Sequence, residues 1–282
     1  MRNRIFVTQF NTLTMETKAE IKNRLVALRQ EMATRQLSAF IIPSTDPHSG
    51  EYVPEHWETR KWISGFTGSA GTAVITLDDA GLWTASRYFI QAEEQLEGTG
   101  IRLFKERLPE TPSIAEWLTR ILKEGDKVGI DGWVNSHQEA QSFRNELKTN
   151  GLVLETMTED IFDSIWLDRP SFPTTPVFIL DETYTGVSCT EKLKRIQEAI
   201  AKNGASGIIL SALDEIAWTL NLRGNDVHCN PVFISYLLIS NEGYTLYILE
   251  EKITDEIRNY LSAHQVNIKT YQALAEDLRT FT

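Results

Sequence analysis

The chain has 282 residues, 41% of them hydrophobic and 24% charged, a composition ordinary for soluble globular domains and a length that suits two of them. Its formal net charge of −11 excludes the broad basic face that a general nucleic-acid or anionic-membrane binder needs. Two cysteines, Cys189 and Cys229, are too few for a disulfide framework or a cysteine zinc site, and no apolar run reaches the roughly 18 residues of a membrane helix, so a reduced, cytoplasmic setting is expected.

Residues 1–15 read as an N-terminal extension. They carry two arginines but no apolar stretch of the kind a signal peptide has. From Glu16 to Arg35 the recurrence of Ile21, Leu25, Leu28 and Met32 predicts an amphipathic helix. Ala39–Ile42, stopped by Pro43, reads as a buried strand. Ala73–Thr76 and Gly81–Thr84 read as two more, turning at Asp78-Asp79. Arg87–Gln95 and Thr111–Leu122 read as helices, the second with Thr111 as N-cap and Pro112 in its first turn. A strand at Lys127–Ile130, a helix at Ser136–Thr149 and a strand at Val153–Thr156 come next. Strands alternating with helices indicate an α/β domain with a mixed or parallel sheet, spanning 16–167.

The stretch 168–176 holds three prolines, which is stiff and poor in N–H donors, and reads as a linker. A second domain, 177–282, then restarts the pattern. It has a helix at Glu191–Lys202, a strand at Gly207–Leu210, a strand pair at Val232–Ile239 and Tyr244–Leu249, and a helix at Ile253–Leu261. AFIIPST at 39–45 matches GIILSAL at 207–213, and Trp62–Gly68 matches Trp218–Gly224, so the chain reads as two copies of one α/β unit. The first copy carries extra residues around HSGEYVPEHWE.

That extra segment, 46–56, is the densest polar cluster, with Asp46, His48, Glu51, Glu55 and His56. Histidine with carboxylate suits a metal or an acid–base site. The spacing offers no His-x-x-x-His pair, and Pro47 and Pro54 forbid one long helix, so an exposed polar loop is the competing reading. The glycines of 65–71 have neither dinucleotide nor phosphate-loop spacing, and they suit close backbone packing against Trp62 and Phe66. Arg87, between a strand and a helix, could clamp a carboxylate or carbonyl, or pair with one of the many acids. Asp214 and Glu215 are adjacent and diverge on a helix, so Asp214 reads as a cap. No nucleophile elbow, zinc helix or Cys-His pairing is present.

The runs IIPSTDPHSGEYVPEHWETRKWISGFTGSAGTAVIT, LWTASRYF, IWLDRP and ALDEIAWTLNLRGNDVHCNPVFISY together resemble the N-terminal part of the long, three-domain Xaa-Pro aminopeptidases (aminopeptidase P), over roughly residues 16–282. The resemblance implies two tandem creatinase-like N-terminal domains. It implies a further C-terminal domain holding two metal ions, usually manganese, on two Asp, one His and two Glu. The activity it implies is removal of the residue that precedes proline at a peptide's N-terminus, with a metal-activated water as nucleophile. On this resemblance the chain stops within the second domain. It then holds no catalytic or metal-ligating residue of its own, since His48, His56, His137, His228 and His264 do not match the family's histidines. The implied partners are a peptide with proline second, the protein's own catalytic domain and a second copy in a homodimer, with neither nucleic acid nor membrane. The arginine of the family's Arg-Tyr-Phe segment contacts substrate, and here it is Arg87. The family usually has an Asp two residues before that arginine, where this chain has Ala85. Ser49, Glu51 and Tyr52 lie in the part of the family domain that rims the cleft. A free-standing creatinase-like binding or scaffold protein without peptidase activity is the alternative reading. A creatinase-type amidinohydrolase fits less, because it has one N-terminal domain.

Overall fold

The computed structural model describes residues 3–281, and the surroundings of side chains from residue 18 on. The chain divides into two compact units. The first holds residues up to Asp46 together with Glu55–Pro170; the second holds Pro47–Pro54 together with Ser171 onward.

In the first unit the elements are α1 (Asn3–Thr34), β1 (Ala39–Pro43), α2 (Thr59–Ser64), β2 (Thr72–Thr76), β3 (Ala80–Thr84), α3 (Phe89–Leu96), β4 (Arg102–Lys105), α4 (Ile114–Ile121), β5 (Lys127–Asp131), α5 (His137–Thr149) and β6 (Val153–Met157). The sheet order is β4-β3-β2-β1-β5-β6. Strands β1, β2 and β3 run antiparallel in turn, while β3–β4, β1–β5 and β5–β6 are parallel. The register sorts side chains by the two-residue period of a strand. Phe40 lies opposite Ile75, and Ile42 opposite Ala73. These face α1, whose Ile21, Leu25, Leu28 and Met32 pack against them with Ala92 and Leu96 of α3. Ala39, Ile41, Val74 and Trp83 point the other way, onto Trp117 and Leu118 of α4 and Leu147 of α5. The result is a helix–sheet–helix sandwich with two cores. Gly81 is required on the second face. A Cβ there would stand 2.6 Å from Phe104 and 2.7 Å from Trp83, whose rings stack at 4.1 Å.

The second unit contains β7 (Phe178–Ile179), α6 (Glu182–Thr185), α7 (Cys189–Lys202), β8 (Gly207–Leu210), α8 (Leu213–Leu220), β9 (Leu222–Arg223), β10 (Ser235–Ser240), β11 (Gly243–Ile248), α9 (Asp255–Ala263), β12 (Val266–Thr270) and α10 (Leu274–Thr280). Its main sheet has the order β12-β11-β10-β8, and β7 pairs with β9. The neighbour relations are antiparallel, antiparallel and parallel along β8, β10, β11 and β12. This is the pattern of β1, β2, β3 and β4 in the first unit. The repeat read from sequence is therefore one of topology. It holds in detail as well: Trp62 and Trp218 each stand three residues before the left-handed residue that ends their helix, Gly65 at φ 70° and Asn221 at φ 54°.

Several expectations are corrected. Helix α1 begins at Asn3, not Glu16; the side chains of the 1–15 extension lie outside the described residues apart from their helical backbone from Asn3. The N-cap of α4 is Ser113, not Thr111. Ser113 and Glu116 close a reciprocal capping box, while the Thr111 N–H turns back to the Leu108 carbonyl. The Arg87–Gln95 helix starts as a 3-10 turn, Ser86–Tyr88. Asp214 does not cap α8; the N-cap is Ala212, which gives no side-chain bond, and Asp214 sits in the first turn. β10 begins at Ser235 rather than Val232, because Asp226 draws the preceding residues into a loop: its backbone N–H donates to the Val232 carbonyl and its Oδ2 accepts from the Ile234 N–H. β4, β7, β9, β12, α2, α6 and α10 are additions that short length or weak periodicity hid from the sequence reading.

Asp226 is also one half of an ion pair. Lys252 Nζ lies 2.5 Å from its Oδ1, both side chains being 0% exposed, and Nζ donates further to the carbonyls of Thr175 and Pro173. Burial lowers the Lys252 pKa, and Asp226 offsets part of that. Removing one partner strands the other charge in the interior, at a cost of about 3–5 kcal/mol. Lys252→Met is expected to lose that much in a denaturant titration, and Lys252→Met with Asp226→Leu to regain part of it. Equal losses in the two variants would overturn the assignment.

Candidate functional site

In the first unit Arg87 is exposed on the 3-10 turn between β3 and α3. Its guanidinium lies over the ring of Tyr88, 5.0 Å from the centroid. The Tyr88 hydroxyl shares a 2.6 Å hydrogen bond with Ser69 Oγ. That bond, with Arg87 beside it, holds the phenol below its ordinary pKa. Ala85 gives Arg87 no carboxylate, and its carbonyl accepts the Tyr88 N–H that closes the turn. Arg87 is thus oriented by a ring that is itself tied to the glycine-rich loop.

The loop is in turn fixed by side chains. Arg60, 6% exposed on α2, donates to the carbonyls of Phe66 and Gly68, and its Nε donates to Ser44 Oγ at 2.7 Å. Thr84 Oγ1 donates to the Ala70 carbonyl at 2.6 Å, and Ser44 Oγ to that of Gly71 at 2.7 Å. Gln95 accepts the Thr67 N–H at 2.9 Å, and Gln91 donates to Thr67 Oγ1 at 2.8 Å. A Cβ on Gly68 would stand 2.3 Å from the Phe66 ring, so the loop closes over Phe66 only with glycine there. Gly68 and Gly71 lie against Phe66 as expected, whereas Gly65 lies against Ile21 rather than Trp62. Arg60 itself was not singled out from the sequence, although a signal exists: it shares a helix face with the buried Ile63, three residues on.

Ser49, Glu51 and Tyr52 belong to the other unit, on the 47–54 loop, and all three are solvent-facing. Ser49 is left-handed at φ 53°. The polar cluster around them is not the uniformly exposed loop that sequence allows, because His48 is 3% exposed. Its Nδ1 is 3.0 Å from the Ser211 carbonyl, which can only accept, so Nδ1 carries the proton. Nε2 is then an acceptor for the Tyr271 hydroxyl at 2.9 Å. Burial pushes the His48 pKa down to about 4. No local sequence signal could pair His48 with Tyr271, 223 residues away.

These residues do not suit a metal. Among the described residues no three His, Cys, Asp or Glu side chains gather as a metal site. Both His48 nitrogens are engaged, His56 Nδ1 bonds the Pro170 carbonyl at 2.7 Å, and His264 Nδ1 bonds Thr190 Oγ1 at 2.6 Å. No helix among the described residues is long and apolar enough to cross a membrane.

Sequence profiles described as Creatinase/Prolidase N-terminal domain match the chain twice, over residues 24–160 and 168–282. A protein of Neurospora crassa named probable Xaa-Pro aminopeptidase P is 41% identical over 268 residues, which are 94% of this chain and 38% of the relative. Xaa-Pro aminopeptidase 1 of Dictyostelium discoideum is 38% identical over 277 residues, 95% of this chain and 44% of the relative. The chain therefore spans about two fifths of the length of these relatives. Among solved structures, the X-prolyl aminopeptidase of Caenorhabditis elegans, described as a cytosolic enzyme with a di-nuclear active site, is 28% identical with a TM-score of 0.85, over 95% of this chain and 44% of that one.

The His48 environment has a pH signature. The folded state holds His48 neutral down to about pH 4, whereas an unfolded histidine takes a proton near its ordinary pKa of 6.5. Its stabilising contribution is complete above pH 6.5 and is lost as pH falls from there toward 4, by up to roughly 3 kcal/mol. Thermal unfolding measured at pH 7 and pH 4.5 is expected to show a larger acid loss in the unaltered chain than in His48→Asn. Equal losses would overturn it.

Proposed function

Because this chain belongs to the creatinase/prolidase N-terminal domain family, in two tandem copies, we propose that it forms the non-catalytic, substrate-guiding part of a metal-dependent Xaa-Pro aminopeptidase. The relatives' names support the reaction class: removal of the N-terminal residue that precedes proline. The di-nuclear site of the C. elegans enzyme supports metal dependence, with two manganese ions as the reading here. The described residues do not fit such a centre, so the metals and their activated water belong to another part of the enzyme. The homodimer and a cytosolic location are part of the same proposal.

The observation that carries a role for this chain is the presentation of Arg87. An exposed guanidinium lies on an aromatic ring anchored to a rigid loop. Such a group loses little conformational freedom when it engages a planar acceptor, and it can donate two parallel N–H bonds to a carboxylate or one to a peptide carbonyl. Its work is to hold the peptide, not to break it. Ser49, Glu51 and Tyr52, on the second unit, are read as a polar, peptide-contacting rim.

In the full-length enzyme Arg87→Ala is expected to lower kcat/KM for Xaa-Pro peptides by about 10–100-fold, the range for one hydrogen bond to a charged donor, with Arg87→Lys intermediate. An unchanged kcat/KM would remove Arg87 from the site. The 282-residue chain alone, given manganese and an Xaa-Pro peptide, is expected to release no amino acid. Turnover that copurifies with the chain would overturn the non-catalytic reading.

A further inference from the structure

We propose that His48 is a positioning residue, clamping the 47–54 loop into the second unit so that Ser49, Glu51 and Tyr52 stand out as a preset peptide-contacting rim. The inference rests on the reading of that loop as part of a peptide-binding surface.

The loop is eight residues whose flanks, Asp46 and Glu55, both belong to the first unit, yet it belongs to the second. The residues within it differ sharply in exposure. Ser49, Glu51 and Tyr52 face solvent, and Tyr52 is 55% exposed. His48 is buried and held on three sides. The Ser211 carbonyl takes its Nδ1 proton at 3.0 Å, and the Tyr271 hydroxyl donates to its Nε2 at 2.9 Å. The Tyr236 ring lies 4.5 Å from the imidazole, and its hydroxyl donates to the Pro47 carbonyl at 3.4 Å. The holders brace one another. Tyr236 stacks on Tyr271 at 5.1 Å, and Phe172 meets Tyr271 edge-on at 5.5 Å.

Imidazole alone among side chains offers a donor on one edge and an acceptor on the other within one rigid ring, and both are used here. The next residue, Ser49, is left-handed, which costs a non-glycine residue about 1 kcal/mol and persists only when its surroundings impose it. A clamp one residue away imposes it. Without that anchor an exposed loop with these side chains samples many conformations, and a peptide would have to order it on binding. The anchored loop meets its peptide already ordered.

Three variants separate the clamp from general packing. Tyr271→Phe removes only the hydroxyl that donates to Nε2. His48→Asn keeps a donor toward Ser211 but loses the Nε2 acceptor. His48→Ala removes both. Amide hydrogen exchange of residues 49–53, measured on this chain, needs no catalysis. It is expected to quicken about fivefold in Tyr271→Phe and His48→Asn, the size of one net hydrogen bond, and further in His48→Ala, while exchange in β10 and β11 is unchanged. In the full-length enzyme the same variants are expected to raise KM for Xaa-Pro peptides with kcat preserved. Unchanged loop exchange overturns the clamp. Faster loop exchange with KM unaltered, or with kcat falling in step, overturns the positioning role. If the unaltered full-length enzyme fails to cleave Xaa-Pro peptides, the proposed function falls instead, and the exchange data still decide whether His48 clamps the loop.

Discussion

In each unit a buried cation satisfies oxygen atoms close to the left-handed residue that ends a short helix. In the first unit the Arg60 guanidinium takes the carbonyls of Phe66 and Gly68. In the second, Lys192, 1% exposed, donates to the Trp218 carbonyl at 2.8 Å and to Asn221 Oδ1 at 2.6 Å. A buried carbonyl without a donor costs about 1–3 kcal/mol, so neither loop could take its path without the cation. The presentation of Arg87 depends on the first of these cations. With Arg60 in place, Gly68 closes over Phe66, Ser69 reaches Tyr88, and Tyr88 orients Arg87.

The two units share a topology and divide its uses. A 3-10 turn comes after the third strand of the repeat in both, Ser86–Tyr88 after β3 and Glu250–Lys252 after β11. The first turn shows its cation to solvent. The second turns its cation inward, where Lys252 meets Asp226 and the carbonyls before β7. One copy of the device thus leaves its cation exposed, and the other holds its unit together. A buried ion pair adds less net stability than its geometry suggests, but it tolerates only one arrangement of the 171–177 and 224–234 segments.

The candidate site was legible in parts. Arg87 was visible as a cation at a strand–helix junction, a place that suits a structural ion pair as well, and only the resemblance of its Arg-Tyr-Phe segment to aminopeptidase P made it a candidate for substrate contact. His48 was visible only as a polar letter in a polar stretch. Its burial comes from Ser211, Tyr236 and Tyr271, and a residue's partners across that separation leave no trace in a local pattern. The same limit explains Thr111 and Ser113. Both are good caps, and the choice between them fell to the Pro112 carbonyl, which accepts the Trp83 indole N–H at 2.9 Å and so stays outside the helix.

The α/β alternation and the duplication are written in the amino-acid order, because they rest on the strand and helix periods and on turn chemistry that spans a dozen residues at most. The family is written there too, through runs such as GFTGSAG and LDEIAWTLNLRGND. Folding in three dimensions was needed to assign the 47–54 loop to the second unit, to make Arg60, Lys192 and Lys252 interior groups, and to lock His48 neutral in one tautomer. Those properties are set by desolvation and by hydrogen bonds between residues far apart in the chain, which no periodicity encodes.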